Sequence, residues 1–319
     1  QAIRRHRVET VTGFVGRTRE TQQAIAALEK GSNLLIRGRA GIGKSAFLRH
    51  LRTNTDDLSK PVIWISAGTA KHVLEALCRQ LHESVGLAVS ATHLGPRLLA
   101  RAQRDGGLLW KDLARTIHRL GVSDTVEIVV AALRKRRCLI FIESLEVAPT
   151  LADLYAELIE HAQVAAAIDD KNRRVRIERL VWRFHETIEL KPLPLDDCEY
   201  IAEQWLGEHP LRFSDEGTRR RFLRHVAQDS GGVPAAIRGM LESAAKEPEI
   251  TPAIARGFTH EAGVRYLDMT PLVILLIVVF MGMRYISRGF GLQEMLVWSG
   301  VATALFTGVR FFMYQMNRR

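Results

Sequence analysis

The sequence predicts an α/β fold: a parallel sheet flanked by helices, then a small helical unit and a C-terminal pair of membrane-spanning helices. Three observations carry this. Apolar strand-like runs alternate with helical segments between residues 33 and 190, a glycine-rich loop joins the first of those strands to a helix, and the chain becomes strongly apolar from Met269 onward. Strands that alternate with helices favour parallel pairing, because each crossover returns over a face of the sheet.

The first strand and its loop are the sharpest signal. The run Asn33-Leu34-Leu35-Ile36-Arg37 leads into Gly38-Arg39-Ala40-Gly41-Ile42-Gly43-Lys44-Ser45, and Ala46 opens a helix to residue 51. The spacing is G-x-x-x-x-G-K-S in the strand–loop–helix context that a phosphate-binding P-loop requires. Glycines let consecutive backbone N–H groups turn toward phosphate oxygens, and the helix N-terminus adds its positive end. Lys44 is expected to reach the β and γ phosphates and the Ser45 hydroxyl to ligate Mg²⁺. The predicted core is therefore that of a P-loop NTPase, and residues 38–46 are its predicted triphosphate site.

The other elements follow in order. Residues 21–30 read as an amphipathic helix, 61–66 as a strand, 72–81 and 122–133 as helices, and 138–142 as a buried strand ending in Glu143. Residues 164–168 read as the next strand, ending at Asp169 and Asp170, and 187–190 as the last. Ligands of such sheets sit at the carboxyl ends of the strands. Pro192 and Pro194 mark a boundary, after which Asp196 or Asp197 is expected to cap a helix running to about residue 206. Helices at 215–229 and 234–246 follow, separated by Ser230-Gly231-Gly232-Val233-Pro234.

Upstream of the P-loop lies Gly13-Phe14-Val15-Gly16-Arg17-Thr18-Arg19-Glu20. F-V-G-R-x-x-E one helix before the P-loop resembles the N-terminal box of the AAA+ and STAND ATPases, especially the branch with Orc/Cdc6-like and ExeA-like proteins. The resemblance covers about residues 12–245 and implies ATP as the nucleotide, with Phe14, Val15 and Gly16 at the adenine. It makes residues 139–146 the Walker B strand, with a departure: Glu143 stands where the family has Asp, Ser144 where it has a second acid, and Glu146 lies two residues beyond. Glu143 can hold Mg²⁺ through water, but Ser144 cannot act as a general base at neutral pH. Either Glu146 or another acid polarises the attacking water, or hydrolysis is slow and the nucleotide acts as a switch. Asp169 matches the sensor-1 place, which usually carries a neutral polar group. Among Arg173, Arg174, Arg176, Arg179 and Arg183 one could serve as a trans-acting finger, with a solvated basic helix as the plainer reading. The helices after residue 195 resemble the family's lid, which implies Pro234 beside the adenine and Arg238 toward the γ-phosphate.

In the tail, residues 270–286 and 295–314 each become about 17–22 residues long once interfacial ends are counted, enough to cross a bilayer. The short connection returns the C-terminus to the side it left, and the terminal Arg318 and Arg319 agree with a cytosolic end. Gly300, Ala304 and Gly308 form a small-xxx-small face in the second span. The formal charge of +10 fits nucleic acid, anionic lipid or simply a solvated surface, and no zinc finger, RNP motif or helix-turn-helix accompanies the arginine clusters. Three scattered cysteines, Cys78, Cys138 and Cys198, suggest reduced thiols.

The expected organisation is a basic segment 1–11, an ATPase core 12–195, a helical lid 196–245, a linker 246–269, a transmembrane hairpin 270–314 and a basic cytosolic tail 315–319. The expected protein is a two-pass membrane ATPase with its enzyme domain in the cytosol. It uses ATP and Mg²⁺, self-associates, and acts with an unidentified protein partner. Two alternatives stand beside it: a nucleotide-gated scaffold or sensor with little turnover, as in phage defence, and a DNA-handling ATPase. Nucleic acid is the less favoured partner, since no winged helix follows the lid.

Overall fold

The computed structural model describes residues 14–55, 60–145, 149–170, 175–255, 257–258 and 281. Predicted Glu146, the linker from residue 259 and the hairpin at 270–314 (Met281 apart) lie outside the described residues. Among the described residues no helix is long and apolar enough to cross a membrane.

In chain order the elements are α1 (Thr18–Glu29), β1 (Leu34–Gly38), α2 (Lys44–Thr53), β2 (Val62–Ile65), α3 (Ala70–Ser84), α4 (Pro96–Asp105), α5 (Trp110–Arg119), α6 (Val122–Lys135), β3 (Leu139–Ile142), α7 (Pro149–His161), β4 (Gln163–Asp169), α8 (Val175–Val181), β5 (Glu186–Glu189), α9 (Leu195–Glu208), α10 (Glu216–Asp229), α11 (Pro234–Ala244) and α12 (Pro252–Ala255). All fall within one compact unit.

The five strands are parallel in the order β2-β3-β4-β1-β5. The chain leaves β1 for the far edge, returns strand by strand to β4, then crosses to the other side of β1. β1 is thus where the direction of winding reverses, and the crevice at its carboxyl end is the expected ligand position for an open α/β sheet.

Period-two alternation sorts the side chains between the two faces. Leu35, Ile63, Ile140, Ile142, Val164, Ala166 and Ile168 point into one core, which is covered by α3, α5, α6 and α7. Leu34, Ile36, Leu139, Phe141, Ala165 and Ala167 point into the other, against Ala24 and Leu28 of α1 and Phe47, Leu48 and Leu51 of α2. Central β3 and β4 are buried on both faces and read as continuous apolar runs, while the edge strands β2 and β5 are buried less evenly.

The buried polar side chains Asn33 and Gln163 sit at the amino ends of the central strands, away from the crevice. Asn33 donates to the Ile159 carbonyl and accepts from the Val164 N–H (2.9 Å), while Gln163 donates to the Leu28 carbonyl and accepts from Lys60 (both 2.7 Å). These are satisfied structural groups.

Helices α9 to α12 form a third core around Phe222, Val226, Ile237, Met240 and Leu241. Here the capping expectation needs correction. α9 starts at Leu195 with Pro194 as N-cap and no side-chain cap bond, so Asp196 and Asp197 lie in its first turn. Proline fixes the extended backbone that opens the helix, and the two carboxylates complement the dipole from within it. Asp215 does cap α10, accepting the Thr218 N–H at 2.8 Å.

Candidate active site at the carboxyl end of β1

β1 ends at Gly38, and the loop that follows turns through Gly41 (φ 76°) and Gly43 (φ 96°), which is the N-cap of α2. Both lie in the left-handed region that glycine adopts without strain. Between them Ile42 is fully buried in the core below, so the loop is pinned by one side chain while Ala40 and Gly41 stay exposed. A Cβ at Gly41 would lie 2.8 Å from that of Ala235, so the first turn of α11 presses directly on the loop. The Ala235 N–H also donates to the Gly41 carbonyl at 3.2 Å. Pro234 stands over Gly43, its Cγ 3.8 Å from where a Cβ would be. Arg238 is exposed one turn further along, on the helical face of Pro234.

Lys44 is the first residue of α2, with a side chain only 12% exposed. Its ammonium donates to the Gly38 and Arg39 carbonyls, each at 2.9 Å, and to the carboxylate of Asp169. Ser45 follows, half-buried. Glu143 lies just past β3, where its N–H bonds to the Ile65 carbonyl at 2.9 Å. Its carboxylate accepts from Arg49 at 2.7 Å. Arg49 is four residues after Ser45 on α2, so it and Ser45 share a helical face, and Glu143 is drawn to that face. Ser144 is half-buried, and the Leu145 N–H bonds to the Ala167 carbonyl at 2.8 Å, fixing the strand end.

The N-terminal box packs along α2. Phe14 stacks on His50, with ring centroids 4.4 Å apart and planes at 12°, and tilts against Phe47 at 5.9 Å. Val15 is half-buried. Gly16 has φ 74°, and a Cβ there would reach 2.5 Å from an Asp197 carboxylate oxygen, so the box also abuts the start of α9. Arg17 follows with φ 58° and donates to the Ile42 carbonyl at 2.5 Å. Burial pushes its guanidinium down to about 10, with Glu20 partly offsetting the shift, so it remains a cation at neutral pH.

Thus the box, residues 38–46, Asp169, Glu143 and the first turn of α11 gather around the carboxyl ends of β1, β4 and β3. Sequence reasoning assigned no role to Arg17 or Arg49. Arg17 props the loop from below and was visible only as one letter of the box. Arg49 carried a spacing signal, four residues from Ser45, but its partner is distant in the chain. Of the arginines considered as fingers, Arg173 and Arg174 lie outside the described residues. Arg183 donates to the Ala156 carbonyl at 3.3 Å, and Arg179 is on an exposed face.

A triphosphate suits this cradle. The loop combines two left-handed glycines, of which Gly41 is too close to α11 to accept a side chain, with the N-terminus of the ten-residue α2 and a largely buried ammonium. For Mg²⁺ the fitting donors are the Ser45 hydroxyl and the Glu143 carboxylate. Among the described residues no cluster of three His, Cys, Asp or Glu could hold a metal unaided. The ion would therefore take its remaining oxygens from phosphate and water.

Comparison with known proteins agrees with the motif. The AAA ATPase domain model matches residues 13–199, more than half of the chain. The chain belongs to the AAA ATPase domain family. This AAA ATPase domain is an ATP-binding P-loop ATPase in class. Among solved structures it is similar to the Orc1 protein of Aeropyrum pernix in complex with DNA, at 17% identity over 82% of this chain and 72% of that one, TM-score 0.49. It is also similar to the RuvB Holliday junction branch migration motor of Thermotoga maritima, at 13% identity over 89% and 85%, TM-score 0.45. A third is domain III of the replication initiation protein DnaA of Thermotoga maritima, at 16% identity over 76% and 92%, TM-score 0.42. No curated protein matches the sequence.

The AAA ATPase core also carries a pH-sensitive contact. Burial lowers the pKa of His50 below the ordinary imidazole value, so the ring stacked on Phe14 is neutral at pH 7. The unfolded chain takes up a proton near pH ~6.5 and the folded one only lower. The unfolded state then binds more protons, so this contribution is complete above that pH and falls as pH drops toward the folded value. Wild type is expected to lose more melting temperature between pH 7 and pH 5 than His50→Gln does; equal losses would exclude His50 as the source.

Proposed function

We propose that this protein is a membrane-tethered, Mg²⁺-dependent ATPase in which bound ATP sets the relation between the P-loop core and the helical lid. The carrying observation is the direct seat of α11 on the loop, through the Ala235 N–H to Gly41 carbonyl bond and the close approach of Gly41 to Ala235. Whatever occupies the loop is felt by the lid without an intermediary. In this reading Lys44 and residues 38–46 bind the phosphates, Ser45 and Glu143 hold the Mg²⁺ side, and Phe14, Val15, Gly16 and Pro234 border the base. Arg238 approaches the γ-phosphate. The domain limits are those expected from the sequence, and the apolar run 270–314 supports the anchor, with the ATPase and the C-terminus on the cytosolic side. Self-association and a protein partner at the membrane complete the proposal.

A second reading has a specific observation in its favour. Ser144 stands where a second acid would polarise water, and Glu143 is engaged by Arg49. Such a site suits a nucleotide-held switch with slow turnover, a gated scaffold more than a motor.

Steady-state phosphate release and Mg²⁺-dependent ATP binding separate these roles. Glu143→Gln is expected to weaken Mg²⁺-dependent binding or turnover, and Glu146→Gln to spare binding and reduce only the chemical step. Ser144→Glu should raise hydrolysis, within the roughly 10²–10⁴-fold range of general-base contributions. If Glu143→Gln leaves both Mg²⁺ dependence and rate unchanged, the Walker B assignment fails. ATP binding without measurable phosphate release in wild type favours the switch.

A further inference from the structure

β4 ends at Asp169, in register with Gly38 of β1, so its carboxylate emerges beside the first glycine of the loop. The ammonium of Lys44 has three N–H donors. All three are directed at protein acceptors: the Gly38 carbonyl, the Arg39 carbonyl and Asp169. An incoming phosphate oxygen has to replace one of them. The two carbonyls belong to the loop backbone itself, whereas Asp169 is a side chain that is 45% exposed and able to swing away. Its neighbour Asp170 faces Arg37 at 3.8 Å, so among the described residues the cation paired with Asp169 is Lys44. Glu143 adds a second carboxylate at the same end of the sheet, covered by Arg49.

We propose that Asp169 is a built-in competitor for Lys44, which makes the site reject metal-free ATP and accept ATP with its divalent cation. This rests on the P-loop reading and adds a selectivity to it. When the phosphates take Lys44, the carboxylate loses that partner but remains tethered at the end of β4 beside them. Two like charges at a few ångströms oppose binding unless a third, positive charge is shared. A divalent cation supplies that charge. An asparagine could still accept from Lys44 but would carry no charge to repel phosphate.

The test is equilibrium titration of the full chain, in detergent, with ATP in excess EDTA and with ATP in excess Mg²⁺. Wild type is expected to bind metal-free ATP much more weakly than Mg²⁺-ATP. Asp169→Asn, with Asp169→Ser as a second neutral variant, is expected to tighten metal-free binding by about 10- to 100-fold, the scale on which one nearby like charge shifts an ionic equilibrium. The affinity for Mg²⁺-ATP should change far less, and Asp169→Glu, which keeps the charge, should behave as wild type. Wild type binding both forms equally, or neutral variants binding metal-free ATP no more tightly than wild type, overturns the proposal while leaving the P-loop reading intact. A wild type that binds ATP in neither condition overturns both.

Discussion

Lys44→Ala is expected to remove ATP binding while leaving the fold in place. The ammonium is nearly buried, and in the proposed site it is the cation that meets phosphate. Truncating one partner of a buried, hydrogen-bonded charge pair costs about 2–5 kcal/mol of binding, or roughly 30- to several-thousand-fold in affinity. Within the protein Lys44 holds two loop carbonyls and Asp169, all next to the solvent-facing crevice, so water can replace it there. The variant should therefore melt within a few degrees of wild type and give no saturable ATP titration. Normal ATP affinity in a folded Lys44→Ala chain would remove the phosphate-site assignment.

The second large effect belongs to the joint between the sheet and helices α9 to α12. Gly232 is buried with φ 76°, and a Cβ there would stand 2.5 Å from the Leu193 carbonyl oxygen and 2.8 Å from its nitrogen. The Leu193 N–H in turn donates to the Gly232 carbonyl at 2.9 Å. Because the obstructing atoms are backbone, no rotamer change relieves the clash. Gly232→Val combines left-handed strain, about 1–3 kcal/mol for a non-glycine residue, with overpacking of about 1–3 kcal/mol. That is a large part of a typical domain stability of about 5–15 kcal/mol. The expected outcome is a sharply lowered melting temperature and weaker ATP binding, since Pro234 and Ala235 would leave the loop. Gly86 provides the control: its φ is 82°, but a Cβ there meets nothing within 4 Å. Gly86→Val should show only the strain and keep ATP affinity. Equal effects at both positions would mean that the joint is not specially packed.

The sheet was largely legible because its strands alternate between two cores, leaving apolar runs at 138–142 and 164–168 whose ends carry Glu143 and Asp169. The P-loop was legible because a phosphate cradle is contiguous in the chain. Helices α4, α5 and α7 went unassigned for different reasons. α4 buries no residue completely and α5 only Leu113 and Ile117, and in both a sharp but narrow apolar face is set in a mostly polar, charged sequence. α7, by contrast, buries Leu151, Leu154, Tyr155, Leu158 and Ile159, a helical spacing that the sequence does display. The charge pairs of the site were not legible. Lys44 with Asp169 and Arg49 with Glu143 each join residues about a hundred positions apart, which only the strand order brings together. The prolines near residue 194 preceded a helix as expected, yet the cap fell to Pro194, because its fixed φ already opened α9 before the aspartates were reached.

An experimental structure of the full chain with a non-hydrolysable ATP analogue and Mg²⁺ tests the central claim most directly. The expected result is phosphates in the turn from Gly41 to Ser45, Lys44 on the β and γ oxygens with Asp169 released, Mg²⁺ between Ser45 and the Glu143 side, and α11 seated on the occupied loop. Nucleotide bound away from this turn, or Lys44 still held by Asp169 beside a bound triphosphate, would contradict it.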